Sequence, residues 1–189
     1  IHLLSLMGGG DINEQARTSW HSYMTDHFRF NSLTGIEQQE ESLGIIPSPT
    51  EGDGLRVKYA NTSFGQGMSV TLIQFAGALS SVVNGGTFYQ PTLMYSRGTN
   101  DSQVVVAPKV VRSGVVSAST SADIVTLMRQ YIDVSAPEVQ RDGFIIGGKT
   151  GTAQLASSEG GYRTDVYNAT FAGFVGKTKP KYVVIIRLD

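Results

Sequence analysis

Lysine, threonine, glycine and threonine stand in a row at 149–152, inside the stretch "GGKTGTAQ" of residues 147–154. On an extended chain alternate side chains leave opposite faces, so Lys149, Gly151 and Gln154 cannot all face one way. The chemistry that suits this set is capture of a peptide. Gly151 leaves the strand edge open, so a substrate peptide can lie antiparallel to it and bond main chain to main chain. Lys149 projects toward the adjoining cleft as a cation, and the hydroxyls of Thr150 and Thr152 are suited to bonding a carboxylate at its rim. The N–H of Thr152 is suited to act as one donor of an oxyanion hole, the device that stabilises a tetrahedral acyl intermediate. The competing reading is a solvated lysine in a glycine-rich turn ahead of a strand. Three such letters arise by chance in roughly a few per cent of chains of this length. The Gly-Gly before them, the Thr-Ala-Gln after them and the strand setting favour the chemical reading.

Other tempting residues have blander readings. Tyr59-Ala60-Asn61 imitates a tyrosine–asparagine catalytic pair, but it lies in a turn-rich stretch and reads as a turn. Gly65-Gln66-Gly67 lacks the following G-K-[ST] and preceding strand of a phosphate loop, and reads as the tight approach to a buried helix. His2, His21 and His27 are scattered without metal-ligand spacing. Asp26, Glu37, Glu40 and Glu41 read as solvated surface rather than a glycosidase pair. Trp20 and Tyr23 read as helix packing. Tyr162 and Arg163, just past the signature strand, are equally suited to lining a cleft or to a hairpin loop. No cofactor and no metal are expected.

The elements that must position the signature can be read from periodicity. Residues 11–30 carry Ile12, Ala16, Trp20, Tyr23, Met24 and Phe28 at helical spacing, with Asp11 as the expected N-cap. Residues 33–62 are punctuated by Thr34-Gly35, Pro47, Pro49 and Gly52-Asp53-Gly54, and read as a long surface excursion. From Val70 to Val83, Leu72, Phe75, Ala76, Leu79, Val82 and Val83 form one stripe of a buried helix, stopped by Asn84-Gly85-Gly86. Phe88–Tyr95 and Val104–Val111 are extended. Thr120 and Asp123 have capping-box spacing ahead of the helix "ADIVTLMRQYI".

The last 45 residues change character. Three strands are expected at Phe144–Leu155, Asn168–Val175 and Tyr182–Leu188, and their short connections imply antiparallel neighbours. The three should form one sheet in sequential order, with the Lys149 strand at its exposed edge, because only an unpaired strand can accept a peptide. Helices first and an antiparallel sheet last is an α+β layout. The uniformly apolar "YVVIIRL" should be a central strand covered on both faces. With no cover following it, and an uncapped apolar segment at Ile1, the expectation is part of a single domain, residues 1–189 being its C-terminal portion, incomplete at both ends.

Composition excludes several classes. The 189 residues carry a formal net charge of −1, without a basic cluster, which argues against nucleic acid and against an electrostatic membrane anchor. No apolar run reaches the roughly 20 residues of a membrane span. There is no cysteine, hence no disulfide and no thiolate metal site.

Taken together, these motifs resemble a known family. "GGKTGTAQ" resembles the third signature of penicillin-recognising serine transpeptidases and β-lactamases, whose other signatures are S-x-x-K and S-x-N. "TGIEQQEESLGIIPSP", "SFGQGMSVTLIQFAGALSSVVNGG" and "YNATFAGFVG…KPKYVVIIRLD" are similar to further segments of the class B penicillin-binding proteins, the peptidoglycan D,D-transpeptidases. The likeness runs from about residue 33 to the end. Leu72 replaces the family's proline after Thr71, and Gln38-Gln39 replaces its Leu-Pro; both lie outside the chemistry. The serious departure is an absence. None of the six lysines (58, 109, 149, 177, 179, 181) follows a serine by three positions, and no serine has an asparagine two residues later. The nucleophile is therefore expected outside this chain.

The resemblance implies a penicillin-binding transpeptidase fold, and a reaction in which a serine attacks the D-Ala-D-Ala carbonyl of a peptidoglycan stem peptide. The acyl-enzyme then passes to an amine of a neighbouring stem, and β-lactams trap the serine. It implies that Lys149, Thr150, Gly151 and Thr152 bind the terminal carboxylate and supply the oxyanion donor. Implied partners are the stem peptide, β-lactams, the N-terminal remainder of the same domain and other cell-wall synthesis proteins. The implied location is the outer face of the bacterial cytoplasmic membrane. Two rivals stand beside this reading: a serine β-lactamase or D,D-carboxypeptidase that passes the acyl group to water, and a sensor or pseudoenzyme that binds penicillin without turnover.

Overall fold

The computed structural model describes residues 1–99, 102–156 and 161–188. The chain begins with α1 (His2–Leu6) and α2 (Glu14–Ser22). The cap of α2 is Asn13 rather than the expected Asp11, its side chain accepting from the Ala16 N–H. Asp11 Oδ1 instead takes the neighbouring Ile12 N–H and the Arg56 guanidinium, and stands two residues before the cap position. The expected single helix over 11–30 changes pitch: Tyr23–His27 form one π turn, closed by the Phe28 N–H on Tyr23 O. Within that turn the rings of Tyr23 and His27 stack at 4.2 Å, and both side chains reach the Val115 carbonyl.

The excursion over 33–62 is more than surface. It includes α3 (Leu55–Thr62), so Tyr59-Ala60-Asn61 is helical and not a turn. Tyr59 is wholly buried, and its hydroxyl donates to the Pro47 carbonyl at 2.7 Å. Leu4, Ile12, Ala16, Met24, Phe30, Ile46, Tyr59 and Ala78 make one core cluster from segments that periodicity alone leaves unconnected.

Helix α4 (Leu72–Val83) starts two residues inside the expected segment, because Thr71 and Gln74 form a reciprocal capping box. Gln74, 1% exposed, does more than cap. Its Oε1 accepts from the Thr71 N–H, while its Nε2 donates to the carbonyls of Ser32 and Leu43. One amide thus ties the start of α4 to the excursion. The helix is buried on two sides: Ala78 faces the first core, Leu79 and Val83 a second. Leu72, placed on the expected stripe, is exposed at the first turn.

Two small ribbons follow, β1 (Phe88–Tyr89) paired with β4 (Val110–Arg112), and β2 (Ser96–Thr99) paired with β3 (Ser102–Val105). Helix α5 (Ala118–Ser135) is capped by Ser117, three residues before the expected Thr120; the Ser117 hydroxyl accepts from the Thr120 N–H, so Thr120 lies inside the first turn.

The C-terminal strands are β5 (Ile145–Ala156), β6 (Tyr162–Gly176) and β7 (Pro180–Leu188), antiparallel in the order β5-β6-β7. Their register sets Ile145, Ala172, Phe174, Val183 and Ile185 in one core with Leu79 and Val83 of α4 and Val125 and Met128 of α5. Full burial of Phe174, 2% exposed, is worth about 1.5–3 kcal/mol. The opposite face of β7 is open: Tyr182, Val184, Ile186 and Leu188 are all exposed. Among the described residues β7 is therefore a second edge rather than the expected central strand, its apolarity serving a core on one face only. The architecture is α+β, with α4 and α5 packed on one face of an antiparallel sheet.

Candidate active site

The Lys149 strand is the other edge. Among the described residues β5 pairs with β6 alone, leaving its far side free of strand partners, as expected. Its glycines are explained by what lies over them. A Cβ on Gly147 would run into the ring of Phe174, and one on Gly148 into that of Phe171. At Gly151 a Cβ would come 2.6 Å from the Thr170 hydroxyl. The signature's glycines thus let β6 side chains fold over β5, a packing requirement alongside the expected access for substrate.

Backbone direction along β5 follows from two contacts. The Thr170 hydroxyl donates to Gly151 O at 3.4 Å, so Gly151 addresses β6. In an antiparallel ladder the polar groups of successive residues alternate sides, which turns those of Thr150 and Thr152 to the open edge. Consistent with this, the Lys149 ammonium donates to Thr150 O at 2.7 Å.

Lys149 is opposite Ala172, on the sheet face that packs against α5. Lys149, Thr150 and Thr152 are exposed. The ammonium lies 3.5 Å from the Thr150 hydroxyl and 4.4 Å from the ring centre of Tyr131 on α5. The Tyr131 hydroxyl and Thr150 Oγ1 are 2.5 Å apart. The Thr150 hydroxyl first, then Ser135 and the Lys149 charge, hold the Tyr131 phenol below its usual range. Sequence reasoning missed Tyr131, since nothing in a helical heptad says which strand edge its flank meets.

The remaining candidates take structural parts. The Asn61 amide donates to the Tyr162 hydroxyl at 3.4 Å, joining α3 to the start of β6. Arg163 pairs with Asp165 along the same strand. Glu41 is not free surface: it accepts the N–H groups of Thr34 and Gly35 and the Thr34 hydroxyl, and that hydroxyl is the chief reason its carboxyl titrates low. Glu37 likewise accepts from Leu93 N and the Thr92 hydroxyl, the Leu93 N–H lowering its pKa most. A cleft of about 430 Å³ is lined by Arg29, Thr34, Gln74, Gln90 and Lys109 among others, and by none of the signature residues. Among the described residues no three His, Asp or Glu side chains converge to hold a metal.

Known proteins match this arrangement. A family model described as the penicillin binding protein transpeptidase domain matches residues 12–189. Stage V sporulation protein D of Bacillus subtilis is 35% identical over 170 residues, which are 88% of this chain and 26% of that protein. Penicillin-binding protein PbpB of Mycobacterium tuberculosis is 31% identical over 175 residues, with the same two coverages. A crystal structure of penicillin binding protein 3 from Mycobacterium tuberculosis, complexed with ampicillin, aligns with a TM-score of 0.76 at 28% identity. It covers 98% of this chain and 44% of that one. The chain spans about a quarter of the length of these curated relatives.

Proposed function

The chain belongs to the penicillin-binding-protein transpeptidase domain family, and from that membership we propose that it supplies the substrate-binding strand of a peptidoglycan D,D-transpeptidase. The observation that carries the reading is the lysine–threonine–glycine–threonine run on a strand edge without a strand neighbour among the described residues.

In the proposed mechanism a stem peptide lies along β5 and bonds the outward main-chain groups of Thr150 and Thr152. Its terminal carboxylate meets the Lys149 ammonium and the Thr150 hydroxyl, and the Thr152 N–H supports the oxyanion as the carbonyl becomes tetrahedral. A serine from outside this chain forms the new O–C bond. The D-Ala–D-Ala C–N bond breaks, and D-alanine leaves with the proton. The amine of a second stem then displaces the serine, forming the cross-link as its proton passes to the serine oxygen. β-Lactams present a similar carboxylate beside a reactive carbonyl and stop at the acyl-enzyme.

We take residues 1–189 as the C-terminal portion of one transpeptidase domain, acting at the outer face of the cytoplasmic membrane. The exposed row Tyr182, Val184, Ile186 and Leu188 supports a further layer over the sheet, contributed by the rest of the domain. Among the described residues no helix is long and apolar enough to cross a membrane.

The test is product analysis with the full-length protein carrying this chain, offered a stem-peptide donor and an amine acceptor. Amine-transferred product supports the transpeptidase. Hydrolysed product alone would return the β-lactamase or carboxypeptidase reading, and binding without turnover the sensor.

A further inference from the structure

We propose that Tyr131, on α5, is a positioning residue of the carboxylate site, its ring holding the Lys149 ammonium and its hydroxyl holding that of Thr150. The proposal rests on the transpeptidase reading and adds a residue nineteen positions upstream in the chain.

Three features carry it. The first is convergence: the Lys149 ammonium, the Thr150 hydroxyl and the Tyr131 hydroxyl meet at one edge. The Tyr131 and Thr150 oxygens are 2.5 Å apart, and the ammonium is 4.4 Å from the Tyr131 ring centre. The second is charge. Among the described residues Lys149 has no carboxylate within ion-pair distance; its partners are a carbonyl, a hydroxyl and an aromatic face. Those contacts orient a cation without neutralising it, which leaves it available to an anion. The third is that packing does not require this tyrosine. α5 is seated by Val125 and Met128 in the sheet core and by Ile132, 2% exposed, whereas Tyr131 is only partly buried at the flank.

The physical consequence is preorganisation. A lysine on a four-carbon stem explores many rotamers, and each must be lost when a carboxylate docks. A ring beneath the ammonium confines it before the substrate arrives. A hydroxyl bonded to Thr150 likewise selects one Thr150 rotamer, the one whose oxygen lies beside the lysine. The substrate feature that senses Tyr131 is therefore its terminal carboxylate and not its acyl carbonyl.

The experiment uses the full-length protein and two forms of one chromogenic cephalosporin, the free carboxylate and its methyl ester. Acylation is followed by stopped flow for the wild type, Y131F, Y131A and K149A. Y131F keeps the ring and its shape and loses the hydroxyl; with the free acid its acylation efficiency should fall about 3- to 10-fold. Y131A loses both contacts and should fall about 10- to 30-fold. The loss should sit in the half-saturating concentration rather than the limiting rate, and should shrink to within about twofold with the ester. Two results overturn the proposal while leaving the transpeptidase reading intact: Y131F and Y131A acylating like wild type with the free acid, or losing equally with acid and ester, as a merely structural residue would. Full-rate acylation of K149A overturns both together.

Discussion

The ring of Phe174 on β6 lies directly over Gly147 on β5, so closely that the glycine cannot gain a Cβ without collision. The two are register partners, Gly147 opposite Phe174, on the face that packs against the helices. Because Phe174 is almost wholly buried, its ring has nowhere to retreat. Gly147→Ala should therefore destabilise by about 1–3 kcal/mol, the usual cost of overpacking a filled core. Urea unfolding measures it, and the double variant with Phe174→Leu should recover part of the loss. Strict additivity of the two changes would show that the clash is not the cause.

Gln74 makes a second, independent expectation. Its side chain satisfies the Thr71 N–H and the carbonyls of Ser32 and Leu43 from a nearly inaccessible position. Gln74→Leu keeps the volume and strands these groups, so the unfolding free energy should drop by at least about 2 kcal/mol, read from a urea denaturation curve. A variant as stable as wild type would mean that water replaces the amide without cost.

Tyr59 is expected to matter for stability and not for chemistry. Burial pushes its phenol up to about 12, with Arg17 opposing slightly. The unfolded chain titrates near the ordinary tyrosine value of about 10. Between these two values the folded state holds a proton that the unfolded state has released, so the stability tied to Tyr59 is complete below about pH 10 and is lost as pH rises toward 12. Tyr59→Phe should remove that part of the alkaline decline, at the cost of about 1 kcal/mol near neutrality from the lost Pro47 bond. Acylation by penicillin in the full-length protein should stay near wild type, and a large loss there would revive the catalytic reading of Tyr59-Ala60-Asn61.

Lys149→Ala in the full-length protein should reduce penicillin acylation roughly 10²- to 10³-fold, the range seen when a charge-stabilising group is removed from an acyl-transfer site. Stopped-flow acylation reads the change.

The 189-residue chain alone should form no covalent adduct with excess penicillin. None of its six lysines follows a serine by three positions, and an isolated serine hydroxyl is a poor nucleophile near neutral pH. Intact-mass spectrometry decides it: a stoichiometric adduct mapped to one serine would place the nucleophile inside residues 1–189 and overturn the division of labour proposed above.

Local spacing was enough for much of the framework. Apolar runs and short connections announce the three C-terminal strands, because a strand's pleat and a tight turn are decided within a few residues. The run from Gly147 to Gln154 was legible for the same reason, since a signature with fixed residue types is a local object. The helix from Leu72 was legible as well, its stop at Asn84 included.

Where such local signals met tertiary contacts, contacts decided. The segment around Tyr59 is rich in turn formers, yet it is helical because a buried ring with its hydroxyl on Pro47 outweighs weak local preference. Gln74 reads as one polar residue on an apolar helix, and only the fold brings Ser32 and Leu43 to it. The apolar run of β7 fixes that a face is buried but not how many faces, so a central strand and a half-covered edge read alike. Tyr131 is the clearest case. Its spacing places it on a helix, but its meeting with Thr150 depends on how α5 lies across β5, a docking set by Val125, Met128 and Phe174 together. A residue's own neighbours bias its secondary structure, which packing overrode around Tyr59, whereas its partner across the fold is fixed wholly by the packing of everything between them.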